Sequence, residues 1–305
     1  MTSSQLVAPS APAARSEQRP VHAVILVGHG SLRRASGAAM IRIAARLRKA
    51  GIAPITQAAF LNYSRPSVSE GLARCVARGA EEITIVPYFL VPGWFVKQTL
   101  PQMLNVCRTQ HPSVIIRQTE PLGDHAALAK LVLQRAFEAD YLHAFPQIAH
   151  APADRLLLRN DTWQPLHSTQ RTGLIMIAHG SPDSSNNRAI YAVAERVRAL
   201  QHYAAVTVCF MELNKPSLAE AIDDFSQNGI SHAITVPYFL QLGNHVSDDL
   251  PRLNAESQAR HPKMTLLLAE HLGYDRLLIA PISDRVGTAI GVPLPTELQL
   301  TYLAQ

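Results

Sequence analysis

The 305-residue chain writes one pattern twice, at a fixed offset. Ile25–Ser31 (ILVGHGS) returns as Ile175–Ser181 (IMIAHGS), and Val86–Leu90 (VPYFL) as Val236–Leu240. Pro66-Ser67 returns as Pro216-Ser217, Pro101 as Pro251, and His111-Pro112 as His261-Pro262, each 150 positions on. An offset kept without a slip marks a duplicated structural unit. Any fold for this chain has to be one that can be built twice.

Within each copy, continuous β-branched runs alternate with stretches of helical period. In the first copy strands are expected at His22–Gly28, Ile55–Leu61, Glu82–Leu90 and Val114–Thr119. Helices are expected at Ala35–Ala50, Ser67–Arg78 and Phe95–Gln110, with a last one capped by Asp124 and running to about Tyr141. In the second copy strands fall at Gly173–Ala178, Val206–Met211, Ala233–Leu240 and Met264–Ala269. Strand and helix in alternation predict an α/β fold: two tandem domains, each a mostly parallel four-stranded sheet with helices on both faces. The expected divisions are 1–20, a disordered leader rich in Ala, Ser, Pro and Gln; 21–145, the first copy; 146–171, a proline-containing linker; 172–290, the second copy; and 291–305, a tail.

No apolar run reaches the ~20 residues of a membrane helix, and residues 1–20 lack the apolar core of a secretory signal. Cys75, Cys107 and Cys209 are far apart with no CxxC, which disfavours a disulfide frame and a cysteine-zinc site and suits a reducing cytoplasm. The net charge of +5 is uneven: residues 21–150 hold 14 Lys/Arg and 7 Asp/Glu (+7), residues 172–305 hold 9 and 13 (−4). The basic residues are not interleaved with aromatics, so no nucleic-acid partner is expected. The split reads either as drift between solvated surfaces or as a basic wall facing an acidic ligand, with Arg33 and Arg34 nearest the expected crevice.

Ligands of open parallel sheets bind beyond the carboxyl ends of strands. In the second copy, three successive strand ends are followed by His179, Glu212 and His245, spaced 33 and 33 residues apart. Two imidazoles and a carboxylate can bind a divalent transition metal with positions left open. Each alone has a plainer reading: a turn histidine, a carboxylate favouring the next helix N-terminus, a solvated loop histidine. Their convergence favours a site. The matching first-copy residues are His29, Asn62 and Phe95, a poor metal set. Ser31 and Ser181 read as helix caps, and Asp248-Asp249 as an ordinary helix N-terminus in preference to a support for His245. Tyr88, Phe89, Trp94, Phe95, Tyr238 and Phe239 could line a crevice or belong to the core. A histidine phosphatase would need an Arg directly before His29 or His179, where Gly28 and Ala178 stand.

At HGS, at FMELxxPS around Glu212, and at VPYFLxxGxHxxxDxP from Val236 to Pro251, the chain resembles the CbiX/SirB family of sirohydrochlorin chelatases, within the class II chelatases. The resemblance covers about residues 22–285, fully in the second copy and partly in the first. It implies a chelatase-like fold, a fused pseudo-dimer working as a monomer, and insertion of Co2+ or Fe2+ into sirohydrochlorin, for cobalamin or sirohaem; related members insert Ni2+. The metal would be a substrate, with no cofactor permanently bound. It also implies that His179, Glu212 and His245 are the metal and catalytic residues. A non-catalytic metal or tetrapyrrole carrier of the same fold is the alternative.

Overall fold

The runs that look like strands become strands because helices cover both of their faces. The structure, a computed structural model, describes residues 20–31, 34–146 and 171–295. Residues 1–19 of the expected leader, nearly all of the linker and residues 296–305 of the tail lie outside the described residues. In the first copy β1 (His22–Gly28), β2 (Ile55–Phe60), β3 (Glu82–Pro87) and β4 (Ile115–Gln118) form a sheet of order β2-β1-β3-β4. In the second, β5 (Thr172–Ala178), β6 (Ala205–Phe210), β7 (His232–Pro237) and β8 (Thr265–Leu268) repeat it as β6-β5-β7-β8. Every pairing is parallel. Ala178 pairs with Phe210 and Ile177 with Pro237, so the carboxyl ends of β5, β6 and β7 are level with one another.

The helices are α1 (Arg34–Lys49), α2 (Val68–Ala77), α3 (Leu100–Gln110) and α4 (Ala126–Ala144), then α5 (Arg188–Ala199), α6 (Leu218–Gln227), α7 (Leu250–Arg260) and α8 (Ile279–Ile290). Ser67 and Ser217 cap α2 and α6 through reciprocal bonds with Glu70 and Glu220. Pro66, which suits a first helical turn by composition, therefore precedes the cap. The expected Asp124 cap is also corrected: His125 caps α4, its Nδ1 accepting from the Ala127 N–H. Asp124 faces Arg196 across the interface at 3.7 Å.

Strand alternation divides the core. Ala23, Ile25 and Val27 of β1 point into a cluster private to the first copy; Val24 and Leu26 point the other way. Ile175 and Ile177 of β5 are likewise private to the second copy, while Leu174 and Met176 join Val24 and Leu26 in one continuous core that spans both. That shared core is closed by an exchange of helices. The first copy's α4 packs on β7, β8 and α5, and the second copy's α8 packs on β3 and α1.

Two arginines at matching positions fasten the exchange. Arg135 of α4 donates to the carbonyls of His271 and Leu272, at 2.9 and 3.2 Å. Arg285 of α8 donates to Pro121 and Leu122, at 2.8 and 3.5 Å, the same residues 150 positions earlier. Gln134 reaches Asp275, and Asp284 reaches His125, by the same symmetry. Arg42 and Arg46 lie over the Tyr274 ring at 4.2 and 4.8 Å. Part of the first copy's positive charge thus joins the copies, a use that neither reading of the charge split anticipated.

Candidate metal centre

The turn after each first strand is dictated by close backbone approach. Gly180 has φ +92, and a Cβ there would lie 2.5 Å from the Glu212 carbonyl oxygen. The glycine lets the His179 turn press onto the Glu212 turn, where the Glu212 N–H donates to the His179 carbonyl at 3.2 Å. Asn214 locks the two turns: its Oδ1 accepts from the Ser181 N–H at 2.7 Å and from Asn187 Nδ2 at 3.0 Å. Ser181 is therefore not a helix cap. Asp183 caps the short turn Ser184–Asn187 that leads into α5.

His245 opens a π-helical turn, His245–Asp249, in which the Leu250 N–H reaches back to the His245 carbonyl. Pro251 follows, and its missing N–H removes an α-helical bond at this point, which accommodates the wider turn. The first copy has the same turn at Phe95–Thr99 before Pro101. In the second copy the turn brings Asp249 Oδ2 to 2.9 Å from His245 Nδ1. The reading of Asp249 as an ordinary helix N-terminus is corrected: it holds the imidazole. With Nδ1–H donated to Asp249, Nε2 is the nitrogen left with a lone pair for a metal.

One donor atom each from His179, Glu212 and His245 lie within 4.8 Å of one another. His179 Nε2 is 3.8 Å from Glu212 Oε2, and the imidazole centroids are 5.0 Å apart at 77°. Donors at about 2.1 Å from a shared ion are at most ~4.2 Å apart. The set is thus slightly open, and small side-chain rotations close it. The side chains of His179 and Glu212 are 44% and 53% exposed, so solvent and an ion have access to them. Among the described residues, no group containing a cysteine takes part: all three thiols are free and buried, and burial pushes Cys75 up to about 11.

The matching first-copy crevice keeps the backbone and loses the ligands. The Asn62 N–H donates to the His29 carbonyl at 2.9 Å, as in the second copy, yet the side chains are an amide and a phenyl ring. His29 packs against Phe95, ring centroids 4.7 Å apart, and burial lowers its pKa, so it is neutral at pH 7. His29 and His179 line one cavity of about 310 Å³, together with Tyr88, Phe89, Tyr238 and Phe239. The crevices of the two copies share an opening. Trp94 is 73% exposed. Arg33 and the side chain of Arg34 lie outside the described residues. Lys97, which sequence reasoning missed, crosses between the copies to Asn186 Oδ1 at 3.4 Å and Asp183 Oδ2 at 3.9 Å. Nothing local in the sequence signals that contact, since it depends on how the copies face each other.

The CbiX family model matches twice, over residues 23–139 and 173–289. The chain belongs to the CbiX family. A sirohydrochlorin ferrochelatase of Priestia megaterium is 22% identical over 271 residues, 88% of this chain and 90% of that protein. A sirohydrochlorin cobaltochelatase of Methanosarcina barkeri is 30% identical over 129 residues, which are 99% of that protein and 40% of this chain. That CbiX relative is the length of one copy. The solved structure described as SirB from Bacillus subtilis with Fe3+ matches with a TM-score of 0.69 at 21% identity, covering 88% of this chain and 95% of that one. The shared fold is the two-copy one.

Proposed function

We propose that this CbiX chain inserts a divalent metal ion, Co2+ or Fe2+, into sirohydrochlorin. The observation that carries the reading is one crevice in which two imidazoles and a carboxylate gather within 4.8 Å, at a cavity walled by both copies. The ferrochelatase and cobaltochelatase relatives support the substrate and the reaction class. Insertion requires an ion stripped of water and a macrocycle that loses two pyrrole N–H protons. Three ligands with open positions suit an ion that has to be released. In this reading His245, steadied by Asp249, delivers the metal and Glu212 balances its charge. His179, at the rigid strand end, accepts one of the two protons as general base, and the other passes to water through the open crevice. The ion is substrate, and no resident cofactor is part of the reaction.

Both walls of the cavity come from one chain, so a monomer suffices. Among the described residues no helix is long and apolar enough to cross a membrane, and the three buried free thiols suit a reducing cytoplasm. Steady-state Co2+ insertion, followed by the absorbance change of sirohydrochlorin, tests the function. The expected result is turnover well above the spontaneous rate, abolished in His179→Ala and His245→Ala, with kcat at saturating sirohydrochlorin largely kept in His29→Ala. Tight binding of sirohydrochlorin with no turnover would replace this reading with that of a carrier.

A further inference from the structure

The first copy has not simply emptied its crevice; it has filled it with rings. Tyr63 and Phe95 flank His29, with centroids 6.0 Å away at 89° and 4.7 Å away at 47°. The residues 150 positions on are Leu213, His245 and His179. Where one copy presents metal donors, the other presents three contiguous π-systems on the same backbone frame.

These rings are not core. Tyr63 is 69% exposed and Phe95 is partly exposed, and neither belongs to the buried clusters of the first copy. His29 is the member that also lines the cavity shared with His179, so the ring set borders the space that one of the metal donors faces. The set carries no carboxylate, ammonium or guanidinium group, and burial keeps His29 neutral. A neutral, edge- and face-presenting ring cluster favours a flat conjugated system over an ion.

We propose that Tyr63, His29 and Phe95 form an aromatic subsite for the conjugated face of the tetrapyrrole that the second copy metallates, one ring stacking on that face and its neighbours meeting it edge-on. This rests on the function proposed above. The first copy's role is then to hold the macrocycle while the ion arrives from the other wall.

The test uses the full chain and metal-free sirohydrochlorin. Of the two tryptophans, Trp94 adjoins Phe95, and Trp163→Phe leaves it as the sole reporter. Saturable quenching of Trp94 gives Kd for the macrocycle, and calorimetry gives Kd for Co2+. Tyr63→Leu, which installs the second copy's residue, and Phe95→Leu are each expected to raise the macrocycle Kd and KM roughly 3- to 10-fold. Tyr63→Phe and Phe95→Tyr, which keep a ring, are expected to restore wild-type binding. Co2+ affinity is expected to hold throughout. Macrocycle affinity unchanged in both leucine variants, in a chain that does insert metal, overturns the subsite alone. So does a parallel loss of Co2+ affinity, which would mark general damage. A wild-type chain that neither binds sirohydrochlorin nor metallates it overturns the function and the subsite together.

Discussion

Replacing Asp249 with asparagine removes the charge that orients His245 while preserving the side chain's shape. The contact is a 2.9 Å hydrogen bond between His245 Nδ1 and Asp249 Oδ2, with side chains 35% and 38% exposed. A hydrogen bond involving a charged group contributes about 1.5–3 kcal/mol. Solvent screening at that exposure brings the figure here to about 1–1.5 kcal/mol. Since about 1.4 kcal/mol is a factor of ten in an equilibrium constant, the Co2+ Kd should rise about tenfold. That sits at the lower end of the roughly 10–100-fold expected for partners of metal-bound histidines. Calorimetric titration with Co2+ measures it. The control is Asp223→Asn, which breaks a 2.8 Å pair with His261 at the far end of α7 and should leave Co2+ affinity unchanged. A change of less than about twofold in Asp249→Asn, or an equal loss in the control, would refute the role given to Asp249.

Arg135→Met should destabilise the chain by about 3 kcal/mol, read from urea unfolding. It strips the buried Asp275 of its cation, although Gln134 Nε2 and the Leu277 N–H still bond that carboxylate. Arg285→Met loses carbonyl contacts alone and should cost about 1 kcal/mol; equal costs would mean the buried carboxylate is not what Arg135 serves. Burial lowers the pKa of both His22 and His29 from 6.5, opposed at His22 by Glu82. The unfolded chain then takes up protons that the folded one refuses, so their contribution is complete above 6.5 and is lost as pH falls below it. His22→Gln should flatten the decline in stability on acidification relative to the wild-type chain; a slope as steep as before would exclude His22 as a source.

The repeat made most of this architecture legible, because strands buried on both faces read as apolar runs, with His179 and Glu212 within two residues of their ends and His245 opening the turn beyond the third. His179, Glu212 and His245 could be placed together for the same reason: level strand ends are a property of parallel register. What the sequence hides is what depends on contacts between distant parts. The passage of α4 and α8 to the opposite copy leaves no local mark, and the Arg135 and Arg285 bonds are visible as a pair once their carbonyl partners are known. From its place just before Leu250-Pro251, Asp249 reads as a first-turn acid; that its carboxylate turns to the imidazole four residues back shows only in the contact itself. Asp124 and Ser181 suited helix caps by composition, but His125 and Asp183 lie nearer the turns that need capping.

Diffraction at the cobalt edge from a crystal soaked in Co2+ tests the central assignment most directly. The prediction is an anomalous peak at donor distances of about 2.0–2.2 Å from His179, Glu212 and His245, with none at His29, Asn62 and Phe95. A peak in the first copy's crevice with the second copy's left empty would contradict it.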